Sequence, residues 1–134
     1  MTAVLDSSAV VDWLLGVPRA RRVAARVKPH GADLHAPQLI LPEAIFALRG
    51  IERGGKEPAP SVAKAVADLT SLPARLWDLE PLTDHAWQLR HAISTYDAYY
   101  VALAELLNAH LITADARLAK AVEAGGWCPV DLVV

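Results

Sequence analysis

The chain has a single cysteine, Cys128, among its 134 residues. No intrachain disulfide can form, and a reducing cytoplasm is its simplest location. No apolar run approaches the roughly 18 residues needed to span a bilayer. The opening MTAVLDSSAVVDWLLG is apolar but holds two aspartates and no preceding Lys or Arg, the wrong charge pattern for a secretory signal. Charge of one sign is not in excess either: 13 Lys+Arg against 15 Asp+Glu give a net charge of -2. A pI near 6.2 argues against strong nonspecific polyanion binding, although a local basic patch is compatible with it. Seven glycines and nine prolines exclude collagen-like and low-complexity classes. There is no G-x-S-x-G, Walker-type loop or G-x-G-x-x-G, so hydrolase-elbow, NTPase and Rossmann readings lack support. The five histidines, His30, His35, His85, His91 and His110, form neither H-x-H nor H-E-x-x-H, and a zinc site is not expected.

Apolar residues make up 54% of the chain and charged residues 21%, which excludes global disorder. The length suits one domain over 1–134, and folding should bury about two-thirds of the unfolded surface. No repeat or interdomain linker is present; 50–61 (GIERGGKEPAPS) is loop-like but short, and reads as a helix–helix connection. Short apolar strands alternate with helices. Strands are predicted at 3–5, 33–36 (stopped by Pro37), 76–79, 111–113 and 130–134. Helices are predicted at 8–15, 18–28, 41–53, 61–71, 83–93, 95–108 and 116–124. Ser7 or Ser8 caps the first helix, and Val62, Ala65, Val66 and Leu69 form the apolar face of the fourth. Such alternation implies an α/β fold of three layers, α/β/α, around a short parallel sheet.

Four acids stand out by position. Asp6 directly follows the first strand, and Asp115 follows the Leu111-Ile112-Thr113 strand by two residues. Glu43 and Asp97 lie in the first turns of their helices. In open parallel sheets, ligands bind beyond the carboxyl ends of the strands, near a switch in strand order. Four acids in that crevice would repel unless a cation neutralised them, and oxygen ligands without His or Cys partners select Mg²⁺ or Mn²⁺. Each acid also has a plain structural role open to it. Asp6 and Asp115 can serve turns or N-caps, Asp97 has capping-box spacing from Ser94, and Glu43 suits a helix N-terminus. Glu52, Glu57, Glu105 and Glu123 fall in helix bodies or loops and read as solvated.

The stretches LDSSAVVDWLLG, LPEAIFALR and YDAYYVALAELLNAHLITADARLAKA together give the chain its family likeness. In this order and spacing, the chain resembles a PIN domain, and within that group the VapC-type ribonuclease toxins of bacterial toxin–antitoxin modules. The resemblance implies a Mg²⁺- or Mn²⁺-dependent endoribonuclease whose acids are Asp6, Glu43, Asp97 and Asp115. It also carries over two hydroxyls, Ser8 and Thr113. One departure is Phe46, which stands where the family often has asparagine three residues after the glutamate. Asp6, Asp97 and Asp115 are then the direct or water-mediated metal ligands, and Glu43 is a ligand or orients the attacking water. Ser8 and Thr113 would hold carboxylates in place, or serve as N-caps. In-line attack would leave a 5′-phosphate and a 3′-hydroxyl, as the resemblance implies.

RNA needs positive charge to grip its phosphates. Arg117 adjoins Asp115, and Arg22 and Arg26 belong to a basic run, Arg19 to Lys28, that contains no acid; a solvated helix face is the alternative for that run. Tyr96 could stack on a base, whereas Tyr99 and Tyr100 read as core or dimer contacts, and the four tryptophans as core or interface. The resemblance implies a homodimer, and a small antitoxin partner that threads a segment over the crevice. Two other readings compete. In one, the chain is a non-catalytic α/β protein-binding module whose acids are helix caps. The other is a phosphoryl-accepting receiver-like domain, which wants paired acids after the first strand and a lysine soon after the last core strand. Here Ser7 follows Asp6, and no lysine closely follows Leu111-Ile112-Thr113.

Overall fold

A computed structural model describes residues 1–134. Its strands are β1 (Ala3–Leu5), β2 (Leu34–Pro37), β3 (Arg75–Trp77), β4 (His110–Thr113) and β5 (Val130–Leu132). Its helices are α1 (Ser7–Leu14), α2 (Arg19–Val27), α3 (Ile40–Arg53), α4 (Ala59–Leu69), α5 (Thr83–Gln88), α6 (Thr95–Leu107) and α7 (Ala116–Gly125). All strand pairs are parallel, in the order β3-β2-β1-β4-β5. The chain therefore winds from β1 outward to β3, then returns across β1 to add β4 and β5. The switch in direction lies between β1 and β4, where a crevice opens beyond the strand ends.

Burial explains why the short strands form. All three residues of β1 are completely buried, as a strand covered on both faces must be. Helix α6 is enclosed in the same way, with Tyr100 through Ala104 at 1% exposure or less, and it packs on β1, β2 and β4. Helices α1 to α4 pack among themselves, giving the three-layer α/β arrangement expected from the alternation.

The differences from expectation sit at element ends. Helix α1 is capped by Asp6, not by Ser7 or Ser8: its carboxylate accepts from the backbone N–H of Ala9. Strand β2 runs through Pro37, which pairs with Trp77 as the last residue of the strand, where its missing N–H costs little. Helix α4 starts at Ala59, because Pro60 in its first turn lacks only a donor that would be unpaired anyway. Its Val66 is 40% exposed and lies off the buried face. Helix α5 stops at Gln88, five residues early. Leu89, Arg90 and Ala92 donate to the i−3 carbonyl, as Leu89 turns into the core.

Helix α7 continues one residue beyond the predicted end, to Gly125, and Gly126 follows with φ +65°. A Cβ on Gly125 would stand 2.4 Å from the Trp127 ring. Gly125→Ala should destabilise the protein by about 1–3 kcal/mol through this overlap, measurable as a lowered urea midpoint with an unchanged slope.

Candidate active site: an acidic crevice at the switch point

Asp6 leaves the end of β1 and is 4% exposed. Its Oδ1 accepts from the Ser8 hydroxyl at 2.7 Å and from Ala9 N at 2.9 Å, while its Oδ2 accepts from the Thr113 hydroxyl. A carboxylate offers about four lone-pair sites, so one on Oδ2 remains. Ser8 and Thr113 tie β1 to β4. Ser8 Oγ accepts from Ala114 N at 2.9 Å and lies 3.2 Å from Thr113 Oγ1, which accepts from Asp115 N at 3.0 Å. The two hydroxyls orient Asp6 and the turn carrying Asp115; neither caps a helix.

Asp115 caps α7, its Oδ1 accepting from Arg117 N and Leu118 N at 2.9 and 3.2 Å. Asp97 sits in the first turn of α6, whose N-cap is Ser94; the Asp97 N–H donates to the Ser94 hydroxyl at 3.3 Å. Glu43 sits in the first turn of α3, and its Oε1 accepts from the Tyr100 hydroxyl at 2.6 Å. The sequence leaves Tyr100 as a core or dimer contact; it lies in the core, and its contact with Glu43 was missed. The signal was available: a phenol buried in a helix at the crevice needs an acceptor.

The acids influence one another through Asp97. Burial pushes the Asp6 carboxyl up to about 6 against the opposing hydrogen bonds, and the Asp97 charge adds to the rise. Burial likewise raises Glu43, with the Tyr100 bond opposing and Asp97 again adding. Asp97 itself is raised by burial, opposed by Ser94, raised further by Asp115 and eased by Arg117. Tyr100 is held well above the ordinary phenol range by burial and by Glu43, so it remains a donor. None of the ion pairs in the chain engages any of the four acids. Oxygen-only donors coupled through Asp97, none of them held in an ion pair, would suit a hard divalent cation, with Arg117 the one basic group that acts on Asp97.

A cleft of about 350 Å³ holds Asp97, Asp115 and Arg117, with Ile93, Ser94 and Leu118 among its walls. Glu43 opens instead onto a neighbouring cleft of about 410 Å³ with Leu39, Pro42, Phe46 and Tyr96. Arg117 is thus brought to the acids. Arg22 and Arg26 are not: they are exposed and line a separate cleft with Pro18, Arg21 and the terminal Val134. Glu52 and Glu123 are exposed as expected. Glu105 departs from the solvated reading, with one oxygen 3.1 Å from His85 Nε2 and the other buried without a partner. Glu57 is partly buried and faces Arg19 at 3.8 Å. Trp87 is 65% exposed, with the Arg90 guanidinium over its ring.

A family model described as PIN domain matches residues 3–124. The chain is 40% identical over 117 residues to Ribonuclease VapC12 of Mycobacterium tuberculosis (strain ATCC 25618 / H37Rv), an alignment covering 87% of this chain and 89% of that protein. In fold it is similar to PAE2754 from Pyrobaculum aerophilum, with a TM-score of 0.72, 20% identity, and coverage of 98% of this chain and 84% of that one. It also superposes on a chain of a toxin–antitoxin complex from Klebsiella pneumoniae, with a TM-score of 0.65, 15% identity, and coverage of 99% and 98%.

Proposed function

The chain belongs to the PIN domain family, and from that premise we propose that it is a divalent-metal-dependent endoribonuclease, the toxin of a toxin–antitoxin pair. Relatives named ribonucleases support the activity. One arrangement carries the mechanism: Asp97 and Asp115 share a cleft with Arg117, and the Asp97 charge opposes ionisation of both Asp6 and Glu43. Asp6, Asp97 and Asp115 would hold Mg²⁺ or Mn²⁺, and Glu43 would join them or orient the attacking water. Bound there, the metal supplies an ionised water and relief of charge on the phosphate. Asp6 is fixed by three hydrogen bonds, so it offers one oriented lone pair and little freedom. Tyr100 fixes one oxygen of Glu43 and leaves the other free to accept a proton from water. Arg117, at the cleft rim, would hold the phosphate flanking the scissile bond. Arg22 and Arg26, on their separate cleft, would contact RNA farther along its backbone.

The reading of the acids as helix caps accounts for Asp6 and Asp115, which do cap α1 and α7. Glu43 and Asp97 cap no helix; they lie in first turns, where a negative charge is favourable, and Glu43 also accepts from Tyr100, but neither role calls for the mutual opposition of the acids. Partners follow from the surface around Glu43. Phe46 is 76% exposed and Tyr96 59%, so this cleft offers an apolar wall beside the acids. An antitoxin segment would seat apolar side chains there and set a basic one among the carboxylates. A homodimer would cover exposed Trp87 and Leu106.

The test is cleavage of total RNA by the antitoxin-free protein with Mn²⁺, Mg²⁺ or chelator, with ends mapped and Asp6→Ala as control. Cleavage that needs the metal and Asp6, and leaves 5′-phosphates, is expected. Absence of cleavage at any RNA by well-folded, metal-loaded protein would favour the binding-module reading.

A further inference from the structure

We propose that His30, His110 and Asp131 form a second metal site, of the zinc class, on the sheet face away from Thr113. The Nε2 of His30 and the Nδ1 of His110 each stand 3.6 Å from the same oxygen, Oδ2 of Asp131. That is beyond hydrogen-bond distance. The Nδ1 atoms of both rings are buried without a partner, and the His30 side chain is 1% exposed. An unpaired buried polar atom is costly, so His110 Nδ1, aimed at a carboxylate beyond bonding distance, needs something between them; in His30 the atom facing Asp131 is Nε2, not the unpaired Nδ1.

The geometry suits an ion in that gap. Zinc bonds to nitrogen and oxygen of about 2.0 Å place tetrahedral ligands roughly 3.3 Å apart. The two imidazole-to-carboxylate distances exceed that by a few tenths of an ångström. All three ligand atoms lie within 4.8 Å of one another. Side-chain adjustment alone closes the set. The His110 and Asp131 side chains are 31% and 32% exposed, which gives the ion an entry path and water the fourth position. Two imidazoles and one carboxylate select zinc over Mg²⁺, which prefers oxygen ligands alone.

The site is independent of the nuclease reading. His110 opens β4 and Thr113 closes it, three residues on; strand alternation sets them on opposite faces, roughly 10 Å apart along the strand. Asp131 pairs with Ile112, on the His110 face. The lack of a compact zinc motif does not bear on it, because the three ligands come from distant segments: the 3₁₀ turn after α2, the start of β4, and β5. An ion there would fasten that turn and the edge strand β5 to the sheet, and so hold α2 and its arginines in place.

Co²⁺ is the probe, used on the full chain and on Asp97→Asn, where the carboxylate cluster is weakened. One equivalent should give the visible absorption of tetrahedral cobalt in both proteins, and Zn²⁺ should bleach it. His110→Gln and Asp131→Asn should each weaken binding about tenfold or more, with unchanged far-UV circular dichroism. In the Asp97→Asn background, Zn²⁺, and not Mg²⁺, should raise the Tm. No tetrahedral spectrum in the parent, or equal binding by a folded variant, overturns the site. Should His110→Gln fail to fold, the near-isosteric Asp131→Asn decides alone.

Discussion

Asp97→Asn is expected to reduce metal-dependent RNA cleavage by roughly a thousandfold or more, while making the metal-free protein more stable. The two effects have one cause. Asp97 is a partly buried carboxylate whose proton affinity is raised by burial and by Asp115, and whose own charge raises Asp6 and Glu43. Without a cation, ionising it costs free energy that the fold must supply. Asparagine keeps its shape and removes the charge, so the metal-free protein should gain roughly 1 kcal/mol, the size of other stabilising changes at strained sites. In a domain of this length that is a rise in Tm of about 4 °C. On the proposed function, the same change would remove a ligand and weaken the field that holds the metal. Melting curves with and without Mn²⁺, beside a cleavage assay, test both parts. Wild-type stability gains from Mn²⁺ and the variant should gain little. A variant that cuts RNA normally removes Asp97 from the mechanism. One that is less stable without metal makes it a structural residue.

The positions of the acids were legible because they follow from topology. A run as short as Ala3-Val4-Leu5 is apolar throughout only if it is buried on both faces, and a sheet of such strands places its ligands beyond their ends. Asp6 and Asp115 then fall just beyond the ends of β1 and β4, joined through Ser8 and Thr113. Their capping was also open to reading, and a cap leaves other lone pairs of the same carboxylate for the proposed ligand role. What stayed hidden depended on packing across the fold. Helical periodicity puts Arg22 and Arg26 on an exposed face but cannot say which cleft that face borders. The early end of α5 reflects Leu89 turning into the core, which no local signal marks. Glu105 looked solvated because a helix-body position says nothing of His85 on the neighbouring helix. The juxtaposition of His30, His110 and Asp131 needs the turn after α2 to meet two strands far along the chain.

Acidifying from pH 7 to pH 5 should stabilise the metal-free protein at this site and strip the metal from the loaded one. The Asp6 carboxyl lies near 6 in the fold against 3.8 for the free side chain. Between those values the folded chain holds a proton that the unfolded chain has released, so stability falls as pH rises through the window. Above pH 6 both states are ionised, and the cost stays constant. The whole gap corresponds to about 3 kcal/mol, of which the step from pH 6 to pH 5 supplies about half. Glu43 and Asp97 are shifted the same way and add to the slope. Asp33 is shifted down by Thr2 and His35 and works in the opposite direction, but it is fully exposed and screened by solvent. Metal binding reverses the balance at neutral pH, because the cation neutralises the charges whose crowding made ionisation costly. It competes with the proton on Asp6, so affinity should fall up to about tenfold per pH unit below 6. Melting temperatures across pH 5 to 8, with Mn²⁺ and with chelator, should therefore converge at the acid end and diverge toward neutrality. Curves that stay parallel, or a metal-free protein that gains stability steadily from pH 5 to 7, would mean that the buried carboxylate of Asp6 is not where the cation and the proton compete.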